Sequence, residues 1–152
     1  MDTDRKDGAD FWIERLGLVP HAEGGWYREL WRADLEIPQN VLPAGYEGPR
    51  SACTSIYYLL RGEDRSAWHR VRSAEIWLWH AGGTLALSFG GGGAAPKTEE
   101  TRLLGPGGAE NAEFQAVVPP GIWQSARIHS GDFVLVSCIV SPGFHWQDFS
   151  LY

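Results

Sequence analysis

The residues of this chain best suited to chemistry are His69 and Glu75, with Gln124 well downstream of them. An imidazole beside a carboxylate is a general acid–base pair, because the carboxylate fixes the ring's tautomer and stabilises its cation. The same three side chains, His69, Glu75 and Gln124, are also donors to a divalent metal (Fe, Mn, Ni or Zn), although an amide is a weak ligand. A third reading is structural, with His69 and Glu75 satisfying each other as a buried hydrogen-bonded pair. Residue types alone leave the three open.

Strand parity says how such residues could meet. Glu75 opens the run Ile76-Trp77-Leu78-Trp79, which reads as a strand. Alternation puts Glu75, Trp77 and Trp79 on one face, and Ile76, Leu78 and His80 on the other. His69 and Val71 share a face of the preceding strand. Past the turn Pro119-Pro120-Gly121, Ile122, Gln124, Ala126 and Ile128 share a face of a later one. The predicted interior is an aromatic-walled pocket with His69 and Glu75 as catalytic candidates and Gln124, Trp77 and Trp79 as ligand contacts. Tyr57 and Tyr58 lie on opposite faces of their strand, so one of the two can supply a phenol, with Tyr57 the ligand-binding candidate.

Other β-rich runs fall at 26–32, 54–60, 68–71, 85–89, 114–118 and 133–140, separated by Gly, Pro and Ser. Many short strands with turns between them predict an all-β sandwich or barrel. A single helix is predicted over 10–18, capped by Asp10, stopped by Gly17 and burying Phe11, Trp12 and Leu16. Two loops look flexible, Ile37 to Arg50 and the glycine run from Gly90 to Lys97. Strands flank that glycine run, whereas a phosphate cradle feeds a helix N-terminus.

The 152 residues form one domain, 1–152, with the charged stretch 1–9 as a disordered tail. A net charge of −6 gives no reason to expect nucleic acid. No apolar run is long enough to span a bilayer or to act as a signal peptide. A cytoplasmic protein with Cys53 and Cys138 as buried free thiols is the expectation.

The spacing His69-x-Val71-x-x-x-Glu75, continued to Gly82, and Pro119-x-Gly121-x-x-Gln124 resembles the two-part signature of the cupin barrels. In that register His69, Val71, Glu75 and Gln124 occupy the four metal-ligand positions, with Val and Gln where the pattern has His. Further segments make the resemblance specific: Leu16-Gly17-Leu18, Pro20-His21-x-Glu23-Gly24-Gly25-Trp26-Tyr27-x-Glu29, Thr54 to Leu60, Glu75-Ile76-Trp77, Val118-Pro119-x-Gly121-x-Trp123-Gln124 and Pro142-Gly143-Phe144. Together these are similar to the family of small cupins known as the domain-of-unknown-function 985, or cupin-5, family. Ala74 departs from it, since an Asp is expected before the Glu. The resemblance implies a cupin-type double-stranded β-helix (jelly-roll) barrel with a short N-terminal helix, and often a homodimer.

The expected function is binding of a small polar or sugar-like molecule in the barrel, with isomerase or epimerase chemistry on a carbohydrate derivative. Metal-free cupins that epimerise nucleotide sugars use a pocket His with a Tyr partner in this way, an analogy at the level of fold. In this reading His69 transfers the proton, Glu75 orients it, Gln124 bonds the ligand and Trp77 stacks on it. A metal-dependent oxygenase and a non-catalytic sensor barrel are the two alternatives.

Overall fold

The computed structural model describes residues 8–152. Most of the expected tail lies outside the described residues, and Ala9 already belongs to the helix α1 (Ala9–Leu16). Gly8, with no side-chain cap, stands at the N-terminus where Asp10 was expected. Ala9, Trp12, Ile13 and Leu16 pack against Leu18, Leu59 and Leu135. That spacing is one helical face, and it leaves Phe11 off the stripe. Gly17, at φ 64, closes the helix, with Gly17 N–H donating to Glu14 and Leu18 N–H to Ile13.

The strands are β1 (Val19–Pro20), β2 (Trp26–Arg32), β3 (Glu36–Ile37), β4 (Arg50–Ser51), β5 (Thr54–Arg61), β6 (Arg65–Arg70), β7 (Ala74–Phe89), β8 (Glu100–Leu104), β9 (Gln115–Val118), β10 (Gln124–Ser141) and β11 (Ser150–Leu151). Among the described residues, nine of them form one antiparallel sheet ordered β1-β2-β5-β10-β6-β11, with β7 pairing β8, β9 and β10. β3 and β4 pair separately.

Two of the predicted breaks are continuous strand. The runs at 75–80 and 85–89 are both part of β7, and those at 122–128 and 133–140 merge in β10. Gly82 and Gly83 fall between the two runs of the sequence, but here they bend a strand that continues. A Cβ on Gly83 would sit 1.8 Å from the Ser130 carbonyl oxygen, so only glycine lets β7 and β10 approach there. The register of that pair shifts around Ser130, which turns both strands around the barrel.

The curled sheet closes over Tyr58, Leu60, Trp77, Leu85, Leu87, Val134 and Val136 as one interior cluster. This is the expected all-β jelly-roll barrel. The helix covers part of its outer face. No described helix is long and apolar enough to cross a membrane.

Candidate active site

His69 sits on β6, paired with Gln124 of β10 on one side and Leu151 of β11 on the other. It is 2% exposed. Its Nδ1 lies 2.7 Å from the Ala67 carbonyl oxygen and 2.9 Å from Glu23 Oε2. Both partners only accept, so Nδ1 carries a proton. Nε2 has no protein partner among the described residues, and it is left for whatever enters the cavity that His69 lines.

The carboxylate partner of His69 is thus Glu23, where the sequence pointed to Glu75. Glu23 is carried by a turn built from Gly24 and Gly25. Gly24 has φ 104, and a Cβ there would lie 2.0 Å from the Arg65 carbonyl oxygen. The turn is pinned by Ala67 N–H donating to the Glu23 carbonyl and Tyr58 Oη–H to that of Gly24. Glu23 also accepts from Ser66 Oγ. Its Oε1 faces His21 Nε2 at 3.4 Å, while His21 Nδ1 accepts from the Glu23 amide. That amide bond needs an unprotonated Nδ1, so His21 is neutral. Burial lowers its pKa accordingly, the charge of Glu23 opposing. Sequence reasoning missed Glu23, although a charged residue ahead of a Gly-Gly turn in the Pro20 to Trp26 segment was a signal for it.

Glu75 has a different surrounding. Trp77 Nε1 donates to Gln124 Oε1 at 2.7 Å, and Gln124 Nε2 donates to Glu75 Oε1 at 2.8 Å. An indole N–H can only donate, so this chain fixes which way the Gln124 amide faces. The Cys138 thiol lines the same cavity as Glu75. Burial is the largest influence on Glu75 and raises its pKa. The attraction of His69 opposes, the repulsion of Glu23 adds, and the result is about 7. For His69 burial disfavours the cation, but the charge and hydrogen bond of Glu23, with Glu75 behind them, outweigh it and lift the pKa to about 9. Glu23 is depressed despite its burial, chiefly by the charge and hydrogen bond of His69. At neutral pH the site therefore holds a His69–Glu23 ion pair and a Glu75 carboxyl close to half-ionised.

The cavity has a volume of about 240 Å³. His69, Glu75, Glu23 and Cys138 form its floor, Tyr27, Ile56, Val71 and Val140 its sides, and Phe144, Trp146 and Phe149 its outer wall. Arg32 and Glu29 stand at its rim, joined at 2.6 Å. Gln124, Trp77, Trp79 and Tyr57, expected as ligand contacts, do not line it. Gln124 is fully buried, with its oxygen bonded to Trp77 and its nitrogen to Glu75. Trp77 packs edge-on against Tyr58, and Trp79 donates to the Gly83 carbonyl across the bend in β7. Tyr57 points out of the barrel toward the helix and His80. Tyr58 is on the site side, but its hydroxyl is committed to Gly24, and burial pushes its pKa well up. Cys138 is a buried free thiol, also raised by burial, while Cys53 is half-buried.

The cupin resemblance implies a metal at His69, Val71, Glu75 and Gln124. Val71 offers no donor, and Gln124 spends its oxygen on Trp77. Among the described residues no three His, Cys, Asp or Glu side chains converge as ligands. One imidazole nitrogen and one carboxylate are too few to hold a divalent ion against water, so this donor set does not fit a metal.

The family model for the Cupin superfamily (DUF985) matches residues 10–152. A hypothetical protein from Leishmania major is 35% identical with a TM-score of 0.82, covering 96% of this chain and 88% of its own. A protein from Shewanella oneidensis is 33% identical with a TM-score of 0.80, covering 96% and 85%. A cupin-like protein from Thermotoga maritima, 10% identical with a TM-score of 0.56 over 87% and 81%, shares the fold alone. A comparison with curated proteins returns no match.

Proposed function

Because this chain belongs to the DUF985 family of the cupin superfamily, a fold whose interior hosts many chemistries, we propose that it is a metal-independent isomerase acting on a small uncharged sugar or similar carbonyl compound. One observation carries this reading: the cavity floor holds two ionisable groups pushed to opposite tasks, His69 kept charged by Glu23 and Glu75 titrating near 7. Two such groups with separated roles are the usual signature of acid–base assignments.

In this mechanism ionised Glu75 takes a proton from the carbon next to the substrate carbonyl. The His69 Nε2–H donates a hydrogen bond to the carbonyl oxygen and stabilises the enolate that develops there. Protonation of that oxygen by His69 gives an enediol. His69 then recovers the proton of the neighbouring hydroxyl, and Glu75 returns its own proton to the former carbonyl carbon. Nothing is gained or lost overall, and no redox partner is needed. A single carboxylate moving a proton between adjacent carbons suits aldose–ketose isomerisation better than epimerisation, which needs proton delivery to the opposite face.

Two features support the substrate class. A cavity of about 240 Å³ lies below the roughly 300–1,000 Å³ of drug-sized sites, which suits a monosaccharide and is small for a nucleotide sugar. The lining cations are paired within the protein, His69 with Glu23 and Arg32 with Glu29, so neither is free for a phosphate. The homodimer implied by the family belongs to the same proposal, and light scattering on the eluting protein checks it.

The test is deuterium wash-in by NMR, with uncharged three- to six-carbon aldoses and ketoses incubated with the protein in D₂O. Enzyme-dependent deuterium beside the carbonyl of at least one, abolished in Glu75→Gln, is the expected result. Sugars that bind and return undeuterated would mark a non-catalytic binding barrel.

A further inference from the structure

His69, Glu75 and Cys138 are almost wholly buried, yet the reading above requires a substrate to reach two of them. The cavity is only partly open to solvent, so movement of part of its wall would widen the way to them. The walls contributed by β2, β5, β7 and β10 belong to the continuous hydrogen-bonded sheet. The outer wall from Phe144 to Phe149 does not. It belongs to the C-terminal strap 144–152, which brings Phe144, His145, Trp146 and Phe149 into the cavity lining and joins the sheet only through the two residues of β11.

The strap begins at a fixed point, since Gly143 N–H donates to the Ser51 carbonyl and Phe144 N–H to Thr54 Oγ1. Beyond it, Phe149 stacks on the His69 ring at 5.7 Å and Trp146 leans on His21 at 5.8 Å, so one segment covers both imidazoles that face Glu23. Its far end is held by the two-residue pairing of β11 with β6 and by Tyr152 N–H on the Trp68 carbonyl. Between these ends sits one strong attachment. Arg50 Nε and Nη2 each donate to Asp148 at 2.8 Å, both side chains buried, and Arg72 approaches the same carboxylate at 3.7 Å from its more exposed side.

We propose that the strap from His145 to Tyr152 is the lid of the cavity and that the Arg50–Asp148 ion pair is its latch. The lid swings about Phe144, releasing the short β11–β6 pairing, parting Phe149 from His69 and admitting a ligand from solvent while the other barrel strands stay paired. A bidentate guanidinium–carboxylate pair gives such a lid one defined closed position. Few ladder bonds and exposed Trp146, Leu151 and Tyr152 side chains place the segment at the low-stability end of the molecule.

The chain carries its own reporter. Cys138 lies on the cavity floor behind the lid, so its reaction with methyl methanethiosulfonate, followed by mass spectrometry of the Cys138 peptide, measures opening. In the wild-type protein the Asp148, Phe149 and Tyr152 amides should exchange with D₂O at least about 100-fold faster than those of the β5–β10 ladder. Asp148→Asn should speed Cys138 modification at least about ten-fold, because a buried Arg50 without its counter-charge favours the open state. Arg72→Ala, which removes only the exposed arm, should speed it about two- to five-fold with ladder exchange unchanged, and it decides the matter if Asp148→Asn does not fold. Strap amides that exchange only together with the ladder would overturn the proposal. So would Cys138 modification that is as fast as that of an exposed thiol, or unmoved by the latch variants. No substrate enters this experiment, so its failure would leave the acid–base reading standing.

Discussion

Glu23 stands between two imidazoles and treats them differently. It holds His69 charged, while its own amide proton keeps His21 neutral. Glu75, buried and bonded by Gln124, is the group left to exchange a proton near neutrality. Activity in the proposed reaction requires Glu75 ionised and His69 protonated. Deuterium wash-in should therefore rise with pH through about 7 and fall through about 9, and a profile flat across that window would contradict the division of roles. Glu75→Gln should reduce the rate by about 10²- to 10⁴-fold, the usual worth of a general base. Trp77→Phe tests the chain behind Glu75. It leaves Gln124 Oε1 buried without its donor and should cost about 1–3 kcal/mol in urea unfolding. Loss of that donor should also blunt the acidic limb of the pH profile.

At the scale of elements, the turn Gly24-Gly25 does for the site what no side chain can. It swings Glu23 under His69 with a positive-φ backbone pressed on the Arg65 carbonyl. Gly24→Ala should destabilise the fold by about 3 kcal/mol or more, since the Cβ meets fixed backbone. A thermal transition within a degree or two of wild type would show that the turn can relax. This turn also marks the limit of what the sequence discloses. Alternation along Glu75-Ile76-Trp77 and around Gln124 was readable, because period two depends only on neighbouring residues, and so were the helix and the barrel. The partner of His69 was not, because residues 23 and 69 meet only through a β-sheet register. Trp77 and Gln124 were placed on the correct inner face, but parity cannot say that they spend their polar atoms on each other. The long strands β7 and β10 each read as two runs because a glycine that bends a strand and a glycine that ends one look alike in sequence.

Across the whole molecule these charges link stability to pH. The pKa of Glu23 is lowered by folding, so its contribution is present above about 4.5 and is lost as pH falls through the folded value. The pKa of His69 is raised from 6.5 to about 9, so its contribution is complete below 6.5 and is lost as pH rises through 9. Glu75, raised from 4.5 to about 7, costs stability over that interval, and His21, lowered from 6.5, opposes it. Above pH 7 the His69 effect stands clear of the other three. Unfolding free energy should decline between pH 7 and 9 by on the order of 2–3 kcal/mol, and the decline should vanish in Glu23→Gln. An equal alkaline loss in both proteins would place its origin elsewhere. The pH of greatest stability and that of greatest activity are thus expected to differ, stability being favoured on the acidic side.

The central claim is that this barrel keeps His69 as an imidazolium at neutral pH. Long-range ¹H–¹⁵N NMR of the ring nitrogens across pH 6 to 10 reads it directly. The account predicts a His69 ring protonated on both nitrogens at pH 7.5 and titrating near 9. A neutral His69 ring at pH 7.5 with Glu23 in place would contradict it.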